Sequence, residues 1–105
     1  DHHLGVARDG SLALSTAPPI GGFRPSGNHL LHTLAMAYGR RAVGVVLTGM
    51  GRDGAEGARA LHDAEGFVIA QDEASCAVAG MTNSARERGA VDVSLVPAAI
   101  AAHIR

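Results

Sequence analysis

The chain contains no lysine and no tryptophan, a single cysteine, and three aromatic rings, Phe23, Tyr38 and Phe67. Each scarcity excludes something. Stacking platforms for nucleic-acid bases need aromatic faces that are almost missing here. The cations are nine arginines against ten carboxylates, a formal net charge of -1 with histidine neutral, so a general polyanion binder is not expected. A lone Cys76 excludes an intramolecular disulfide framework and a cysteine-only metal site, and it points to a reducing compartment. The apolar runs are short and broken by Gly, Arg or His, so membrane insertion is not expected. Asp1-His2-His3-Leu4 lacks the pattern of a signal peptide. What is present is aliphatic: 47% of residues are hydrophobic and 18% charged, a balance that disfavours disorder. A length of 105 residues suits one domain.

Leu4 to Ala7 and Ser11 to Ser15 are extended stretches either side of Arg8-Asp9-Gly10, which predicts a β-hairpin over residues 4–15. Pro18, Pro19, Gly21, Gly22 and Pro25 make residues 16–25 a loop. Ser26 is placed to cap a helix whose apolar positions, Leu30, Leu31, Leu34 and Ala35, recur every three to four residues up to Gly39. Ala42 to Leu47 is wholly apolar, the pattern of a strand buried on both faces. A second helix opens at Asp53 and ends by Gly66, and Phe67 to Ala70 is a further buried strand. Met81 to Arg88 is helical, Val91 to Leu95 a third strand, and Pro97 begins an alanine-rich docking helix. Strands alternating with helices from residue 26 imply a doubly wound α/β fold, with a mainly parallel sheet and helices on both faces. Three strands make a small sheet, half of such a domain.

Ligands of open α/β sheets bind beyond the carboxyl ends of the strands. The loop Thr48-Gly49-Met50-Gly51-Arg52-Asp53-Gly54 falls there, with glycines that let backbone N–H groups converge on an anion or oxyanion. Gly49-Met50-Gly51-Arg52-Asp53-Gly54 fits G-x-G-x-x-G, and Asp72 follows the next strand, as in a dinucleotide site. Asp53 would, however, set a carboxylate where the pyrophosphate belongs. In a second reading Asp53 is itself functional, a carboxylate that orients a histidine. In a third, Asp53 and Glu56 form a capping box.

Other candidates each have a plainer alternative. His29 and His32 share a helix face, but two ligands leave a zinc site incomplete, so no metal is assigned. His2 and His3 are ligands or, more simply, solvent-facing polar residues. Cys76 lacks an activating partner and reads as a small buried side chain. Ser26 and Ser75 lack the strained G-x-S-x-G setting of a hydrolase serine and read as caps or turn residues. Arg24 contacts an anion or is solvated. No cofactor is implied.

The run Gly44-Val45-Val46-Leu47-Thr48-Gly49-Met50-Gly51-Arg52-Asp53-Gly54, followed by Ala70-Gln71-Asp72-Glu73-Ala74-Ser75-Cys76 and Gly80-Met81, resembles the catalytic domain of the CheB-type chemotaxis protein-glutamate methylesterases. Asp1-His2-His3-Leu4 and Arg24-Pro25-Ser26 add to the resemblance, which covers essentially the whole chain. It implies a cytoplasmic serine esterase that hydrolyses γ-glutamyl methyl esters, and deamidates glutamines, on methyl-accepting chemoreceptors. It also implies a Ser-His-Asp triad whose acid is Asp53, with Gly49, Met50 and Gly51 suited to help form the oxyanion hole. The family's serine loop, of G-A-S-x-G-G type, and its histidine match no segment here. Residues 1–105 therefore correspond to the C-terminal portion of the esterase domain, incomplete relative to the family, and a receiver domain upstream is possible. Taken alone, the chain is expected to be inactive. A nucleotide-binding module and a non-catalytic remnant kept for protein contact are the alternatives.

Overall fold

The computed structural model describes residues 1–48 and 53–104. Strands β1 (His3–Val6) and β2 (Leu12–Ser15) form the expected antiparallel hairpin, with Val6 opposite Leu12. Its turn is closed by Asp9, whose Oδ1 accepts from the Ser11 N–H at 2.9 Å and the Ser11 hydroxyl at 2.6 Å. Those two bonds, the hydroxyl's first, hold the Asp9 carboxyl below its usual range.

Helix α1 (Gly27–Tyr38) starts at Ser26, whose side chain accepts from the Asn28 N–H, and stops at Gly39 in a positive-φ conformation. The hairpin docks on it. The Val6 N–H donates to Thr33 Oγ1 at 3.0 Å, and a methyl group on Gly5 would lie 3.1 Å from Thr33 and 3.2 Å from His29. Strand β3 (Val43–Val46) leads into α2 (Ala55–Asp63), then β4 (Phe67–Gln71), α3 (Gly80–Glu87), β5 (Val93–Leu95) and α4 (Pro97–His103). The sheet order is β3-β4-β5, all parallel, with Val45 beside Ile69 and Ile69 beside Val93.

Helices α1 and α2 close one face of the sheet. Val46 and Val68 pack there with Leu61, Ala58, Ala42 and Ala90, and Leu31, Leu34 and Tyr38 of α1 lean against them. The approach is close: a methyl group on Gly57 would lie 3.0 Å from the Asn28 backbone, and one on Gly44 would meet Leu61 at 2.7 Å. Helix α4 lies on the opposite face, against β4, where Phe67 stacks on His103 at 5.5 Å.

One expectation is overturned. The Ala42–Leu47 run is not buried on both sides: along β3 burial alternates, with Gly44 and Val46 inside but Val43 and Val45 49% and 38% exposed. As an edge strand β3 has a strand neighbour only in β4 among the described residues. Val43, Val45, Phe67, His103 and Ile104 line an apolar groove of about 510 Å³ on that face.

Candidate active site

The chemistry-bearing residues gather where α1 and α2 begin. Helix α2 has no cap of its own: Gly54 stands at its N-cap in a left-handed conformation and offers no side chain. The cap comes from the neighbouring helix instead. Asn28 Oδ1, in the first turn of α1, accepts from the Gly54 N–H at 3.0 Å and the Gly57 N–H at 2.8 Å. Asp53 returns the arrangement. Its Oδ2 accepts from the Gly27 N–H at 2.6 Å, and its Oδ1 accepts from the Ser26 hydroxyl at 2.6 Å and, weakly, from the Asn28 N–H at 3.5 Å. Each helix start is thus finished by a side chain from the other. The carboxylate thus lies at the positive end of the α1 dipole, while the first N–H groups of α2 are taken by Asn28.

The capping box expected from Asp53 and Glu56 is therefore not formed. Asp53 lies one residue before the actual N-cap, and its carboxylate serves α1 rather than its own helix. Glu56 reaches instead towards Arg88, 3.6 Å away.

Beside the carboxylate opens a cleft of about 400 Å³, lined by Asp53, Asn28, Glu56, Arg88, Phe23, Ile20 and Gly21. That is within the ~300–1,000 Å³ range of small-ligand pockets. Phe23, half exposed, stands at its rim on a turn closed by backbone hydrogen bonds between Ile20 and Phe23.

Behind the site lies a residue that the sequence placed wrongly. His3 was expected to face solvent, yet it is fully buried. The hairpin's pairing and the loop over it decide this: its Nδ1 accepts from the Ser26 N–H at 3.2 Å, and its Nε2 meets the Pro18 carbonyl at 3.0 Å. An N–H can only donate and a carbonyl only accept, so the ring is the neutral Nε2–H tautomer. His29 stacks on it at 4.7 Å. Burial, and then the neighbouring His3 and His32, hold the His29 imidazole below its ordinary value. His2 is exposed. No group of three or more potential metal ligands occurs among the described residues. Arg24 is not simply solvated, since it pairs with Asp1 at 3.0 Å.

The two diagnostic sequence segments turn out to be bonded to each other. Gln71 is buried, and its Oε1 accepts from the Thr48 N–H at 2.9 Å while its Nε2 donates to the Ser75 carbonyl at 3.0 Å. The Thr48 hydroxyl and the Val78 backbone are 2.9 Å apart in both directions. Asp72 accepts from the Ser75 hydroxyl and so closes its own turn. Cys76 is half-buried, with Sγ 3.8 Å from Thr82 Oγ1. Gly49, Met50 and Gly51, with Arg52, lie outside the described residues.

With this geometry in place the kinship of the chain can be given. Residues 1–104 match the family model for CheB methylesterase. The chain belongs to the CheB methylesterase family. It is 57% identical over 102 residues to protein-glutamate methylesterase/protein-glutamine glutaminase 3 of Anaeromyxobacter dehalogenans, covering 96% of this chain and 30% of that protein. The Salmonella typhimurium protein-glutamate methylesterase/protein-glutamine glutaminase is 46% identical over 94 residues, covering 87% of this chain and 27% of the relative. The crystal structure of the Thermotoga maritima CheB methylesterase catalytic domain superposes with a TM-score of 0.85 at 37% identity, covering 91% of this chain and 52% of that one. The doubly wound α/β expectation holds, and the chain spans about a third of the curated CheB relatives and half of the solved domain.

Sequence reasoning singled out Asp53 as a candidate but did not anticipate Ser26 as its hydrogen-bond donor, nor the parts played by Asn28 and His3. Arg24-Pro25-Ser26 was part of the resemblance. It carried no sign that the serine hydroxyl crosses to a carboxylate 27 positions later.

Proposed function

We propose that this chain forms the C-terminal part of a protein-glutamate methylesterase domain in which Asp53 orients a histidine supplied by residues outside the chain. The imidazole takes the proton of a serine, likewise from outside, as the serine oxygen attacks the γ-carbonyl of a glutamyl methyl ester. The protonated imidazole then gives its proton to the leaving methoxide, and water hydrolyses the acyl-enzyme to a glutamate. A glutamine amide would follow the same course and release ammonia. The substrates are methyl-accepting chemoreceptors, the compartment is the cytoplasm, and an upstream receiver domain would regulate access. Gly49, Met50 and Gly51 are proposed for the oxyanion hole.

The observation that carries this reading is the Asp53 carboxylate, held on both oxygens at the start of two helices and bordering an open cleft. A carboxylate offers about four lone-pair positions. Among the described residues two donors lie on Oδ1 and one on Oδ2, so Oδ2 is the oxygen proposed to receive an imidazole N–H. The open face of β3 supports the same reading, because the remainder of such a domain would cover it. Two features weigh against a nucleotide site. Asn28 already occupies the Gly54 and Gly57 N–H groups that a pyrophosphate would use, and Asp72 is engaged with Ser75.

The full-length gene product carrying these residues is expected to release methanol from a glutamyl methyl ester, and Asp53→Ala should lower kcat by about 10⁴-fold. The 105-residue chain by itself should show no turnover and no saturable binding of NAD or ATP. Receptor binding without turnover by the full-length product would instead favour a non-catalytic remnant.

A further inference from the structure

The Ser26 hydroxyl does two things at once. As the N-cap of α1 its oxygen accepts from the Asn28 N–H at 3.2 Å, which capping alone requires. Its proton is free of that role and goes to Asp53 Oδ1 at 2.6 Å, a short charge-assisted bond from a side chain only 2% exposed. Its backbone N–H is fixed in turn by His3 Nδ1. We infer that Ser26 is a positioning residue for the esterase reaction, setting the plane of the Asp53 carboxylate so that Oδ2 is presented to the incoming imidazole.

The geometry explains why two donors are needed. One donor leaves a carboxylate free to swing about its Cβ–Cγ bond; donors on both oxygens, from atoms fixed in different groups, do not. The Gly27 N–H holds Oδ2 and the Ser26 hydroxyl holds Oδ1. Helix capping by itself would be satisfied by any acceptor at position 26, so the donor is the part of Ser26 that capping leaves unexplained. This inference rests on the reading of Asp53 as the carboxylate that orients the histidine.

The test is a double-mutant cycle in the full-length gene product, assayed by methanol release at a temperature well below the melting point of every variant. Ser26→Ala should lower kcat roughly 10- to 100-fold through misorientation, with KM within about twofold of the parent. Ser26→Thr, which keeps the hydroxyl, should restore most of the rate. In an Asp53→Ala background Ser26→Ala should cause no further loss of kcat, because its target is gone. If Ser26→Ala does not fold, Ser26→Gly takes its place, since a helix N-cap tolerates glycine nearly as well as serine. Full kcat in the Ser26 variant, an equal loss in both backgrounds, or no rescue by threonine would each overturn the inference while a large Asp53→Ala effect stood. An Asp53→Ala protein with parental kcat would instead bring down the reading of Asp53 and this inference with it.

Discussion

On one face of the β3–β4–β5 sheet, Val46 and Val68 pack against Leu61 and Ala58 of α2 under the cover of α1; on the other, Val43 and Val45 stand open beside Phe67. The residues involved are chemically alike, so hydrophobicity does not distinguish the two faces. What differs is the cover. The closed face receives α1 and α2, joined at their starts by the exchange of Asn28 and Asp53, and α3, whose Met81 packs on the same cluster. Among the described residues the open face has α4, which packs on β4 and leaves Val43 and Val45 of β3 exposed. An apolar strand states that something must lie against it, and the comparison teaches that it does not state what.

The contrast can be broken most forcefully by truncation. Leu61→Ala removes a fully buried side chain that fills the space above Gly44 and Gly66, and it should cost about 2–5 kcal/mol in urea unfolding. Val45→Thr, on the open face, should change stability by less than about 0.5 kcal/mol in the same measurement. Equal losses at the two positions would mean that the faces are equally covered. The helix junction can be tested separately. Asn28→Ala deprives Gly54 and Gly57 of their acceptor and should cost about 1–2 kcal/mol, with the loss confined to α2 in amide exchange.

The smallest effect concerns pH. The native His29 imidazole binds its proton less readily than the usual 6.5, chiefly because it is desolvated and then because His3 and His32 lie nearby. As pH falls below about 6.5 the unfolded chain takes up a proton before the folded one does, so stability drops until the native ring is protonated too. Melting temperatures should therefore fall as pH is lowered below about 6.5, and His29→Gln should flatten the fall.

Much of the architecture was legible in advance. The hairpin, the Ser26 cap, the alternation of strands and helices and the stops at Gly39 and Gly89 were all visible, because turn residues and apolar periodicity act over a few neighbouring positions. Asp53 was a candidate through the family motif that contains it, and the structure sets it at the start of α1. Its structural partner was misjudged. Three-residue spacing to Glu56 suggested a local capping box, whereas the donors to Asp53 come from Ser26 and Gly27, 27 and 26 positions away. The burial of His3 was illegible for the same reason: its polarity signalled solvent, and only its contacts with Ser26 and Pro18 bring it inside.

The sequence by itself determined where chains of backbone hydrogen bonds begin and end, which strands are parallel and which carboxylate follows β3. Those choices depend on propensity, spacing and chain direction, all carried by near neighbours. Tertiary structure alone decided which helix each capping side chain serves, which tautomer His3 adopts and which face of β3 is left open. A hydrogen bond or a covering helix is set by distance in space, and a linear order of residues does not contain that distance until the α1–α2 packing has formed.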